Sequence, residues 1–214
     1  MVDYEVLRQR MVEEQLIPRG ISGRRVLEAF LNVPRHEFVP EEFRDTAYGD
    51  HPIPIGLGQT ISQPYMVALM TECLGLSGGE KVLEIGCGSG YQAAILAHMG
   101  ADVITVERVG ELAALCRQRL GGLGYEGIRV VTGDGTLGHA GGAPYDGIIV
   151  TCAAPSVPDT LTGQLRDGGR LVIPVGARFS QALTVITKKG GFVTAREICG
   201  CVFVPLIGEK GWKE

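Results

Sequence analysis

From residue 81 onward, short apolar runs alternate with stretches whose apolar positions recur every three or four residues. The runs at 82–85, 102–107, 128–131, 146–151 and 169–175 read as buried strands. The stretches at about 91–99 and 110–120 read as amphipathic helices. This alternation predicts an α/β fold with a doubly wound, mostly parallel sheet and helices on both faces. The segment AAPSVPDTLTGQL after the fourth strand reads as part loop and part helix. The last strand-like segment, QALTVITKKGGFVTAREICGCVFVPLIG, differs. It predicts two antiparallel edge strands joined at Gly190–Gly191, the second able to bend at Gly200.

Upstream of residue 81 the pattern is helical, then irregular. Tyr4, Leu7, Met11, Val12 and Leu16 share one face of a helix over 3–17, which Pro18 and Gly20 terminate. Ser22 is placed to cap a second helix with Val26, Leu27, Phe30 and Leu31 on its apolar face, and Pro34 stops it. Residues 33–56 carry prolines at 34, 40, 52 and 54 and show no period, as expected of a functional connection. LGQTIS then reads as a loop into a helix from Pro64, with Ser62 at or near its N-cap and Met66, Val67, Met70 and Leu74 as its apolar positions. These elements predict a single domain over 1–214. Residues 1–80 supply N-terminal helices and a site loop, 81–176 a βαβ core, and 177–214 the terminal strands.

Composition narrows the function classes. The net charge is −4 and no Lys/Arg cluster stands out, so no nucleic acid partner is expected. No apolar run approaches the ~18 residues of a membrane span, and the charged N-terminal helix does not read as a signal peptide, so no membrane association is expected. The six cysteines are scattered, and Cys199 and Cys201 form a C-x-C without a second pair or a nearby His. No metal site is expected, and buried free thiols in a reducing cytoplasm are.

The stretch KVLEIGCGSGY (81–91) places a strand, a glycine turn and a helix in succession. In that unit backbone N–H groups at a helix start face a ligand. Position 91 is Tyr, so the third glycine of G-x-G-x-x-G is missing, and with it the close approach a pyrophosphate needs. Gly86, Gly88 and Gly90, preceded by Glu84, suit a ligand without phosphates. Glu107 ends the second strand, where a carboxylate can take both ribose hydroxyls; a salt bridge to Arg108 or another base is the structural alternative. Asp134 in GDG can accept from an adenine amine, or mark an Asp-Gly turn. Together these features describe S-adenosylmethionine.

The chain resembles the class I S-adenosylmethionine-dependent methyltransferases, and within them the protein-L-isoaspartate (D-aspartate) O-methyltransferase family. The resemblance rests on VPRHEFVP (33–40), AYGDHPIPIGLGQTISQPYMVALM (47–70), VLEIGCGSGYQAAILA (82–97), GDG (133–135), APYDGIIVTCAAP (143–155) and LVIPVG (171–176). GQTISQPYM is the specific segment; the glycine turn is shared by many methyltransferases. The resemblance implies methyl transfer from S-adenosylmethionine to the free α-carboxyl of L-isoaspartyl residues in damaged proteins, and more weakly of D-aspartyl residues. The methyl ester then collapses to a succinimide, and repair begins. It assigns Ser62 to catalysis. The cofactor-binding candidates are Thr60, Ile61, Ser62, Glu84, Gly86, Gly88, Gly90, Glu107, Arg108, Asp134 and Gly135. Ala153, Ala154 and Val204 are expected to line the peptide groove. No cofactor contact is assigned from residue 207 onward.

A carboxylate nucleophile is ionised at neutral pH and needs no general base. None of His36, His51, His98 and His139 is spaced to serve one, and Ser62 lies in I-S-Q rather than G-x-S-x-G, which argues against a serine hydrolase. Ser62 reads instead as a donor that orients the carboxylate, and residues 33–59 as a cover. Damaged polypeptides are the expected partners, a monomer the expected state, and the cytoplasm the expected location. The competing readings are a methyltransferase with a different acceptor and a nucleoside-binding sensor that has lost its acceptor site. A nicotinamide dehydrogenase is disfavoured by the missing glycine.

Overall fold

The computed structural model describes residues 2–213. The N-terminal helix begins as α1 (Tyr4–Arg10), capped by the Asp3 carboxylate, which accepts from the Glu5 and Val6 N–H groups. It continues as a π-helical turn over Met11–Leu16 and a 3₁₀ turn over Ile17–Arg19, and Gly20 ends it at φ +92°. Helix α2 (Arg24–Asn32) follows. Its N-cap is Gly23 rather than Ser22, with no side-chain cap, and the Glu72 carboxylate accepts from the Ser22 and Gly23 N–H groups that precede the helix.

The irregular connection resolves into 3₁₀ turns at Arg35–Phe38 and Glu41–Thr46 and a hairpin of β1 (Ile53–Gly56) and β2 (Gln59–Ile61). LGQTIS is therefore partly strand. The connection is held by Arg35, which is completely buried. Its Nε donates to Ala47 O and its Nη2 to Ser62 O, both at 2.7 Å, and its guanidinium lies 5.0 Å from the Tyr91 ring centroid. Burial lowers the Arg35 pKa to about 10, which leaves it cationic at neutral pH.

Helix α3 (Pro64–Leu74) leads into the main sheet of β3 (Lys81–Ile85), β4 (Asp102–Glu107), β5 (Arg129–Thr132), β6 (Tyr145–Val150), β7 (Leu165–Ala177), β8 (Ser180–Lys189) and β9 (Phe192–Cys201). Their spatial order is β5-β4-β3-β6-β7-β8-β9. The first five pair in parallel, and β8 and β9 add antiparallel at the edge. Helices α4 (Tyr91–His98) and α5 (Gly110–Gly122) pack with α2 and α3 on one face. The short α6 (Asp159–Gln164) packs on the other through Leu161. Strand β3 is buried on both faces. Val82 enters the first layer, and Leu83 and Ile85 the second.

The last strand does not bend at Gly200. The register shift falls opposite Leu183–Thr184, where Cys199 and Glu197 are the partners and Ile198 is the extra residue. Pairing stops at Cys201, and the chain crosses to the end of β6, where Ala153 N–H donates to Val204 O and Leu206 N–H to Ala153 O, each at 2.8 Å. Among the described residues no helix is long and apolar enough to cross a membrane.

Removing the Arg35 side chain leaves two carbonyls without their donor. Arg35→Ala is predicted to lower unfolding stability by about 2–4 kcal/mol. Chemical denaturation checks this, and a loss below about 1 kcal/mol would show that the connection holds itself without the guanidinium.

Candidate active site

The sheet order reverses between β3 and β6, since β4 and β5 follow β3 to one side and β7 follows β6 to the other. Such a switch point opens a crevice at the carboxyl ends of the strands. The glycine turn after β3, Glu107 at the end of β4, Gly135 after β5 and Thr151 after β6 all meet there.

Three connected spaces occupy the crevice. The outer chamber is lined by Gly86, Gly88, Glu107, Arg108, Gly135 and Ile207, among others. The inner chamber is lined by Ile61, Ser62, Glu84, Ser89 and Tyr91, with Gly86 and Gly88 shared. A larger groove of about 670 Å³ opens outward over Ser62, Met66 and Phe203. Thr60 and Thr151 border all three, which makes them the junction. The glycines are required by space as well as by angle. Gly86 sits at φ +91°, and a Cβ there would lie 2.6 Å from Thr151 Oγ1. A Cβ on Gly135 would collide with the Ile85 side chain.

The three acids expected to bind ligand have different surroundings. Glu84 is wholly buried, and neither carboxylate oxygen has a hydrogen-bond partner. It pairs in register with Thr105, whose buried hydroxyl is itself unpartnered. Burial pushes the Glu84 carboxyl well above the ordinary carboxylate range, with Thr105 working weakly against it. A buried, unanswered carboxylate facing a chamber fits a ligand ammonium. Glu107 lines the outer chamber and is partly satisfied. Its Oε2 accepts from Gly88 N–H at 3.1 Å and its Oε1 from Val109 N–H at 3.0 Å. One lone pair remains on each oxygen, a pattern that two vicinal hydroxyls can complete.

Asp134 is different. Its Oδ1 accepts from the Thr136 N–H and hydroxyl, and its Oδ2 from Glu209 N–H at 2.7 Å. Burial acts to raise its pKa, but these donors outweigh burial and hold the carboxyl below its usual value. The carboxylate thus anchors the C-terminal segment, and Gly135 is the member of GDG that borders the chamber.

Other expectations are corrected by packing. Gly90 borders none of the three spaces. It caps α4 at φ +91°, and a Cβ there would touch Cys116 Sγ at 3.1 Å, so it serves helix packing. Ala153 and Ala154 are buried behind the groove, where their backbone binds the C-terminal segment and Pro174, and Thr151 takes the lining position instead. Val204 does line the groove. Ser62 is not a cap, since Gln63 is the N-cap of α3 and receives no side-chain bond. Ser62 borders both the inner chamber and the groove. Thr151 and Ile207 are additional lining residues. No motif marks Ile207, which reaches the chamber only because the chain doubles back after β9. No histidine lines these spaces, and among the described residues no group of three or more His, Cys, Asp or Glu could hold a metal ion.

Because the folded-state pKa of Glu84 is raised, its neutral form stabilises the fold at low pH, and that stability is lost as pH rises through the raised value. Glu84→Gln is predicted to make the ligand-free protein more stable than the wild type above the carboxylate range, with the difference vanishing in acid. The same variant is predicted to bind S-adenosylmethionine at least tenfold more weakly. Thermal melts across pH, with and without ligand, test both, and undiminished binding would remove the ammonium assignment.

The crevice belongs to a recognisable group of proteins. Residues 7–211 match the model of the protein-L-isoaspartate(D-aspartate) O-methyltransferase family. A protein-L-isoaspartate O-methyltransferase of Geobacter metallireducens is 55% identical over 99% of this chain and 98% of its own. One from Dictyoglomus thermophilum is 52% identical over 99% and 96%. A solved structure of a protein-L-isoaspartate O-methyltransferase superposes with a TM-score of 0.85 at 31% identity, covering 95% of this chain and 67% of that one. Another, described as a beta-aspartate methyltransferase from Plasmodium falciparum in complex with S-adenosyl-L-homocysteine, gives 0.82 at 25% identity over 97% and 99%. The chain belongs to the protein-L-isoaspartate(D-aspartate) O-methyltransferase family.

Proposed function

We propose that the protein transfers a methyl group from S-adenosylmethionine to the free α-carboxyl of L-isoaspartyl residues in damaged polypeptides, and that residues 1–214 act as one domain. The observation that carries this reading is the meeting of two binding spaces at Thr60 and Thr151: a glycine-walled slot with two differently satisfied acids, and an open groove wide enough for a peptide.

In this reading Glu84 holds the ammonium of the cofactor, Glu107 its ribose hydroxyls, and Gly86, Gly88 and Gly135 give its body room. Thr60, Ile61 and Arg108 complete the walls. When bound, S-adenosylmethionine supplies an electrophilic methyl group on a sulfonium sulfur. The residues of the chain have no proton to remove, because the substrate carboxylate is already ionised at neutral pH; the absence of a lining histidine is consistent with that. Ser62 donates a hydrogen bond to the substrate carboxylate and fixes its line of approach, while Arg35 fixes Ser62 through its carbonyl. Catalysis is then chiefly orientation. Transfer neutralises a carboxylate against a sulfonium, so exclusion of water favours it. The hairpin of β1 and β2 and residues 33–59 supply that cover. Asp134 contributes through the C-terminal segment it anchors. The enzyme works as a cytoplasmic monomer whose groove must admit a polypeptide.

Two measurements decide the reading. Given labelled S-adenosylmethionine, the protein is expected to methylate a peptide containing isoaspartate and not its aspartate counterpart; methylation of neither defeats the proposal, and methylation of both redirects it to another carboxyl acceptor. Ser62→Ala is expected to lower turnover on the order of a hundredfold, the cost of a misplaced reactant, with cofactor affinity within about twofold. Normal turnover would reduce Ser62 to a lining residue.

A further inference from the structure

The groove that meets the cofactor slot at Ser62 has an uneven charge lining. Among the described residues its only charged lining residues are Arg19 and Arg178, and no Asp or Glu borders it. This contrasts with a chain whose net charge is −4. The two arginines are in different states. Arg19 forms an ion pair with Asp50 and lies 3.4 Å over the Tyr65 ring, so its charge is answered locally. Arg178 forms no ion pair with any described residue. It donates to Lys213 O at 3.2 Å and lies 5.7 Å from the Trp212 ring centroid, contacts that orient the guanidinium without neutralising it. Its neighbour Phe179 is 86% exposed on the same turn between β7 and β8, and Val202, one residue past the Gln181–Cys201 pair of the adjoining strand, is 70% exposed beside it. Large apolar side chains exposed beside a groove mark a contact surface.

We propose that Arg178 and Phe179 set the flanking-sequence preference of the enzyme. Arg178 receives the carboxylate of an acidic residue close to the isoaspartyl residue, and Phe179 packs on an apolar side chain beside it. The inference rests on the methyltransferase reading and adds a substrate class to it: isoaspartyl sites in locally acidic polypeptide. An extended peptide advances about 3.3 Å per residue, so positions within a few residues of the methylated site reach the groove rim. The turn is positioned by the β7–β8 pairing, which runs without a shift from Arg170–Thr187 to Ala177–Ser180. The backbone of the turn is therefore fixed, and the Lys213 carbonyl and the Trp212 ring orient the exposed guanidinium on it.

The test is a panel of isoaspartyl peptides carrying Glu, Lys or Ala at each of the three positions on either side of the isoaspartate. The wild type is expected to show a kcat/KM about three- to tenfold higher for Glu than for Lys at one or more positions, a contrast that shrinks with added salt. In Arg178→Glu the order inverts at those positions. In Phe179→Ala the charge order persists, and any advantage of Leu over Ala beside the acidic position is lost. The same Glu-over-Lys order in Arg178→Glu would overturn the proposal. So would a flat charge series in a wild type that methylates the all-Ala peptide, and that result would leave the activity itself standing. Failure to methylate the all-Ala isoaspartyl peptide or any other in the panel would overturn both.

Discussion

A buried guanidinium holds the active site together. Residues 33–62 carry little regular structure, yet they must pass over the end of a close-packed sheet without leaving carbonyls unpaired. Arg35 solves this by reaching the Ala47 and Ser62 carbonyls at once while facing Tyr91, the first residue after the glycine turn. A lysine could not supply both donors from one planar group. The arrangement couples the segment that presents the acceptor-side serine to the helix that opens the cofactor slot. The cost of burying the cation is offset by these carbonyls and by the aromatic face.

The second organising feature is the grading of three carboxylates across one crevice. Glu84 has no partner, Glu107 accepts two hydrogen bonds, and Asp134 accepts three. Residue type is almost the same in all three, so environment alone decides what each can do. An orphaned carboxylate is poised for a cation, a half-satisfied one for hydroxyl donors, and one with three donors for holding the fold. On the acceptor side Arg178, which has no ion pair among the described residues, is of opposite sign. The crevice thus presents acids to a cationic cofactor and a cation to an anionic polypeptide.

The C-terminal segment closes the design. After β9 ends at Cys201 the chain turns back, bonds to Ala153 and Trp212, and brings Val204 and Ile207 to the slot. Asp134 fixes its far end through Glu209 N–H. One strip of chain therefore walls both the cofactor chamber and the peptide groove, and the two binding events share a structural element.

The periodicity of the chain was enough to determine the parallel core, its helices and the antiparallel edge, because burial on two faces of a strand and one face of a helix leaves a local signature. Local spacing also placed Glu84, Gly86, Gly88 and Glu107 at one crevice, since a strand, a turn and a helix position their own residues. What the sequence could not resolve was anything that depends on which segments meet. Ala153 and Asp134 look like ligand residues until the C-terminal segment is seen bonded to them. Gly90 looks like part of a cradle until Cys116 is seen against it. Ser62 looks like a cap until Gln63 takes that place. Ile207 and Arg178 lie in no quoted motif, and the motifs that contain Arg35 and Thr151 do not single them out. Their roles come from partners distant along the chain, as for Arg35 with Ala47 and Ser62, 12 and 27 residues away. Such contacts are settled by packing, where close distance in space is unrelated to distance in sequence.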